Sequence, residues 1–90
     1  MHNTKEQLQN YLKNTQTREL LNQQIMEVEE DLYDVVDAIN LLETNGLDTV
    51  VSVLEKKRHE LDVERIQLEL RLNHVEHDIL VFELGLETEE

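Results

Sequence analysis

The sequence predicts an all-α protein, an antiparallel two-helix hairpin of coiled-coil type that oligomerises into a helical bundle. Two observations carry that prediction. Leu21, Ile25, Val28, Leu32, Val35, Ile39 and Leu42 recur at spacings of 4, 3, 4, 3, 4 and 3, and after a break at Asn45-Gly46 the series Leu47, Leu54, Leu61, Leu68, Val75 and Phe82 places one apolar residue every seven positions. A repeat of this period lines up one apolar stripe along each helix, and a stripe must be buried against a partner.

Taken in chain order, residues 1–17 form the least periodic segment, rich in Asn, Gln and Thr with Leu8, Tyr11 and Leu12 as the sizeable apolar groups. Thr4 followed by Gln7 suits a capping box, so a weakly helical or frayed start is expected, interrupted at Thr15 and Thr17. The firm hairpin is expected over 18–80. Its first helix carries the seam residues, with Glu27, Glu29, Glu30, Asp31, Asp34 and Asp37 on the remaining surface. The turn is placed at 43–49. Asn45-Gly46 suits the left-handed conformation that ends a helix, and Asp48 or Thr49 offers a side-chain oxygen to cap the next one. A turn this short makes the two helices antiparallel neighbours.

The second helix carries more apolar surface than one partner covers. Beside Leu61, Leu68, Leu72, Val75, Ile79 and Phe82 runs another row, Val63, Ile66 and Leu70, then polar Asn73 and His77, then Leu80 and Leu84. Positions two apart lie about 200° from each other around a helix, so the two rows occupy nearly opposite faces. Assembly is therefore expected to rest on Ile25, Val28, Leu32, Val35, Ile39, Leu54, Leu61, Leu68, Leu72 and Val75, with Val63, Ile66, Leu70, Leu80 and Leu84 as a second interface row. A competing expectation comes from the strict alternation of Ile66-Gln67-Leu68-Glu69-Leu70-Arg71-Leu72-Asn73 followed by the apolar run Ile79 to Phe82, which suits a β-hairpin. Helix-forming Leu, Glu, Gln and Arg, with no Gly or Pro between Asn73 and Asp78, favour helix. Residues 81–90 are expected to form an arm and acidic tail, either frayed or docked as a short extended or β segment.

Composition bounds the function. Two helices in 90 residues do not wrap a closed core, and small domains of this size are marginal, so self-association into a dimer or tetramer is expected. There is no cysteine, which excludes disulfide staples and thiolate metal sites. The polar N-terminus and the lack of a long apolar run fit neither a signal peptide nor a membrane span, so a cytoplasmic location and no membrane partner are expected. Twenty-one acids against eight bases give a net charge of −13. That balance argues against direct nucleic-acid binding, whose energy comes from Lys and Arg displacing counterions, and favours a basic protein as any charged partner.

Three constellations bear on chemistry. His74, His77 and Asp78 fall within about one helical turn and are the weak metal candidates, although a closed site needs ligands from elsewhere. Glu27 and Glu30 form one Glu-x-x-Glu pair, but the later Glu-x-x-Asp expected of an all-helical nucleotide pyrophosphohydrolase is missing. With few aromatic residues or glycines to build a pocket, neither catalytic residues nor cofactors are expected. Lys56, Lys57, Arg58 and Arg65 concentrate the positive charge. Arg58 and Arg65 flank the Leu54, Leu61, Leu68 seam and are read as partners for the acidic first helix in interhelical ion pairs.

Arg58-His59-Glu60-Leu61-Asp62, on a second helix behind a Gly-Leu turn, resembles the Ser-Gln-Glu-Leu-Asp signature of the small sporulation aspartyl-phosphate phosphatases, which are also helical hairpins. Three residues match. Arg58 stands in place of the Ser and His59 in place of the Gln, and the first helix is longer than that family uses. The resemblance implies Glu60 and Asp62 as contacts to a response regulator's phosphoryl site.

The leading functional expectation is a non-enzymatic interaction module, a self-associating acidic hairpin that acts as adaptor, regulator or inhibitor of another protein. An alternative of a different class is an inhibitor that mimics nucleic acid, presenting Glu27, Glu30, Asp31, Asp34 and Asp37 to a basic DNA- or RNA-binding protein. An origin in a virus or mobile element would suit so compact an inhibitor.

Overall fold

The computed structural model describes the backbone of residues 4–88 and the side chains of residues 4–85. Helix α1 (Thr4–Thr44) and helix α2 (Asp48–Thr88), each of 41 residues, pack side by side. The molecule measures 66 × 17 × 14 Å. At about 1.5 Å per residue such a helix is about 62 Å long, so each runs the whole length of the rod. The helices are antiparallel: Tyr11, near the start of α1, stacks on Phe82, near the end of α2, with ring centroids 4.7 Å apart.

The heptad explains where the core sits. Leu21, Ile25 and Val28 of α1 are buried with Leu61 and Leu68 of α2, and Leu32, Val35, Leu72 and Val75 pack around them. Ile39, Val51 and Ile79 extend the buried line toward both ends, and Leu54 is half-buried. Val51 and Ile79 belong to the seam in their own right. Around them, α2 keeps an unbroken 3,4 spacing through Val51, Leu54, Arg58, Leu61, Arg65, Leu68, Leu72, Val75, Ile79 and Phe82. Two arginines therefore hold seam positions where apolar side chains would otherwise stand.

The turn closes as a Schellman motif. The Leu47 amide donates to the Leu42 carbonyl and the Gly46 amide to the Glu43 carbonyl, each at 3.1 Å, and these bonds satisfy carbonyls that the helix end leaves free. Gly46 has φ 72°, the left-handed region that glycine enters at no steric cost. Asn45 Nδ2 donates to the Leu41 carbonyl at 2.8 Å and Thr44 Oγ1 to Asn40 at 2.9 Å, which finish the C-terminus of α1. Leu47, not Asp48 or Thr49, holds the capping position of α2, because its carbonyl accepts the first helical bond, from Val51 at 3.1 Å. Asp48 instead lies in the first turn, where a carboxylate complements the positive end of the helix dipole. A Cβ at Gly46 meets nothing within 4 Å, so the cost of Gly46→Ala is purely conformational. It is expected to destabilise the hairpin by about 1–2 kcal/mol in urea melts, with Gly46→Asn costing less.

Two segments differ from their sequence expectation. The N-terminal part is not frayed from residue 4 onward: α1 runs through it without a break. Thr15 Oγ1 donates to the Leu12 carbonyl at 2.8 Å and Thr17 Oγ1 to Lys13 at 3.0 Å, so both hydroxyls bond back inside the helix rather than breaking it. The Tyr11 and Phe82 pair ties down this open end, and the Tyr11 hydroxyl donates to Glu83 Oε2 at 3.3 Å. At the other terminus, α2 continues through the alternating stretch 66–73 and on to Thr88, and no strand occurs among the described residues. The alternation reflects two apolar rows on opposite helix faces, one buried and one exposed. Residues 89 and 90 of the expected tail lie outside the described residues.

Candidate interaction surface

The inner face of α2 is covered by α1; its outer face is not. Val63, Ile66, Leu70, Leu80 and Leu84 are 40%, 47%, 63%, 53% and 50% exposed. With Asn73 and His77, which are also exposed, they advance by 3, 4, 3, 4, 3 and 4 residues, the same rhythm as the buried seam. The row spans about 32 Å of helix. Singly exposed apolar residues are ordinary, whereas two groups of them in one row at coiled-coil spacing, parted by Asn73 and His77, form a docking feature. Further apolar side chains are exposed on α1, among them Leu12, Met26, Tyr33 and Leu41.

The acidic cluster read as a partner surface lies on α1. Glu27, Glu30, Asp31, Asp34 and Asp37 are all exposed, and none takes part in an ion pair with Lys or Arg among the described residues. Glu27, Glu30, Asp34 and Asp37 follow one another by 3, 4 and 3 residues, with no base between them. Between the helices on this flank runs an open groove of about 800 Å³ lined by Gln24, Glu27, Asp31, Glu64, Gln67 and Arg71.

The arginines do not bridge the helices as expected. Arg58 Nη2 pairs with Glu55 Oε2 at 2.6 Å; Arg65 pairs with Asp62 at 2.9 Å and Glu69 at 3.2 Å, all within α2. The reason is position. Acids one turn away on the same helix are in reach of a guanidinium that leaves the seam sideways, while the acids of α1 at Glu27, Glu30 and Asp34 stand exposed on that helix. Hydrogen bonding to Asp62, with the charge of Glu69, raises the Arg65 pKa above its ordinary value, so the seam keeps this positive charge at any working pH. Arg65 lines an open groove together with Leu32 and Val36 of α1, and its exposed ion pairs contribute little. Arg65→Leu is therefore expected to raise the melting temperature by adding an apolar seam residue; an unchanged or lower value would mean the ion pairs outweigh burial at this position.

The remaining candidates do not form sites. His74, His77 and Asp78 are exposed, and among the described residues no group of three or more His, Cys, Asp or Glu converges as a metal site would require. Glu60 is exposed and Asp62 is half-buried, accepting from Arg65. No helix among the described residues is long and apolar enough to cross a membrane. Comparison with protein families, curated proteins and solved structures found no match to this chain.

Proposed function

We propose that this chain is a non-enzymatic interaction module, an acidic helical hairpin that self-associates through the outer face of α2 and so presents its surfaces to another protein as an adaptor, regulator or inhibitor. One observation carries the reading: Val63, Ile66, Leu70, Leu80 and Leu84 lie 40–63% exposed along the face opposite the buried seam. Burying a Leu or Ile side chain is worth about 1.5–3 kcal/mol, which gives five such residues ample reason to find a partner. Sedimentation equilibrium over a wide concentration range tests it. A discrete multiple of the chain mass that dissociates on dilution is expected; a single-chain mass at the highest concentration overturns the reading.

The acidic face of α1 favours a second role for the same module. Glu27, Glu30, Asp31, Asp34 and Asp37 stand exposed and outside the ion pairs with Lys or Arg among the described residues, as a surface for a basic protein would. Capture of such a partner is expected to weaken steeply as salt rises, because exposed charges are screened over about 8 Å at physiological ionic strength. Contact through the apolar row persists or strengthens under the same change.

A further inference from the structure

One flank of the hairpin changes character along its length. Midway along the rod, Glu27 and Asp31 of α1 line the open groove together with Glu64 and Gln67 of α2. Residues two heptads apart in a coiled coil share a side of the helix. The positions two heptads nearer the turn on this flank are therefore Leu41, counted from Glu27, and Val50 and Val53, counted from Glu64 and Gln67. They are 65%, 46% and 66% exposed. The charges between Ala38 and Leu54 are Glu43 and Asp48 alone, and both belong to the opposite flank, two heptads from the Glu29 and Asp62 that line the groove there. The first flank thus runs from an apolar patch beside the turn to an acidic groove about 21 Å away.

We infer that this flank docks one amphipathic helix of a basic protein, with its apolar side chains on Leu41, Val50 and Val53 and its Lys or Arg side chains over Glu27, Asp31 and Glu64. The inference rests on the proposed role of the acidic face toward a basic protein, and gives that role a site, an occupant and a direction.

Charge complementarity selects the occupant. Flank positions of paired helices commonly carry opposite charges, whereas here both helices bring acid to the groove. Glu27, Asp31 and Glu64 are exposed and stand outside the ion pairs with Lys or Arg among the described residues. One heptad nearer the turn, Asp34 and Glu60 add two acids against Lys57, and the groove's own base, Arg71, lies one heptad beyond Glu64 on the side away from the turn. A partner's cations supply what the hairpin withholds, and the same acids repel a nucleic acid. The shape suits a helix: the space between two packed helices is where a third one lies, and the buried Val28 and Leu68 line this groove. The apolar patch then fixes direction, because it is beside the turn and the carboxylates are about four helical turns from it.

Fluorescence anisotropy with three synthetic helical peptides tests the assignment. The first carries three leucines near one end and three lysines about fourteen residues further along the same face. The second has alanine in place of the leucines, and the third keeps the composition of the first with the two groups only about seven residues apart. The first is expected to bind at least about tenfold more tightly than either of the others. Val53→Ser is expected to remove most of that advantage while leaving the second peptide's affinity unchanged. Glu64→Gln is expected to weaken all three and flatten their dependence on salt. Both residues are exposed and neither belongs to the outer row of α2, so circular dichroism and sedimentation of the variants should match the parent chain. Equal affinity for the three peptides, or an advantage that survives Val53→Ser, would overturn the shared dock while leaving the acidic face as a surface for basic proteins. No binding of any peptide at low salt would remove both.

Discussion

Leu70→Glu is expected to leave the hairpin folded and abolish its self-association. The side chain is 63% exposed and sits on the face of α2 away from the seam, so the substitution should change folding stability by no more than about 0.5 kcal/mol. In a symmetric dimer the same change strikes twice. Losing two buried leucines removes about 3–6 kcal/mol of apolar burial, which lowers affinity by more than about a hundredfold before any charge repulsion is counted. Circular dichroism and sedimentation on the same sample separate the two effects. Unaltered helicity with a dissociated chain supports the outer row as the interface; an unaltered oligomer mass would show that the row is not what holds the copies together.

Leu21→Ala produces the opposite result. Leu21 is 1% exposed and the largest fully buried side chain among the described residues, packed in the cluster with Ile25, Val28, Leu61 and Leu68. Its truncation is expected to cost about 2–5 kcal/mol, the sum of lost burial and the cavity left behind. A two-helix protein has few other contacts to spread that loss over, so helicity and oligomer mass should fall together. Leu61→Ala should behave alike from the other helix, and Leu72→Ala, half-buried at the rim of the same cluster, should cost less. A Leu21→Ala chain that melts in urea at the unaltered midpoint would disprove the seam.

How much of this was legible in the sequence depends on the range over which each feature is decided. The α1 stripe and the turn were readable because both are local: the heptad sets which side chains share a face, and Asn45-Gly46 supplies the one conformation that a Schellman ending needs. The outer row of α2 was readable for the same reason. The N-terminal helix was underestimated, since the bond from Thr15 to Leu12 and the stack of Tyr11 on Phe82 are invisible to a count of apolar residues, and the second joins groups far apart in the chain. Val51 was missed as a core residue because Arg58 and Arg65 interrupt the second line of the α2 heptad, hiding that it is continuous from Val51 through Leu72 to Ile79.

By itself the sequence determined the seam of α1, the turn that ends it, and that a helix over 63–84 carries two opposed apolar rows, because periodicity and turn chemistry depend on neighbours within a few residues. Tertiary structure alone decided which row α1 covers, that the alternating stretch 66–73 is helix with one face buried, and that Arg58 and Arg65 pair along α2 rather than across to α1. Those outcomes depend on how the second helix is rotated against the first, and rotation is set by the summed burial of the whole seam, which no single residue or short motif contains.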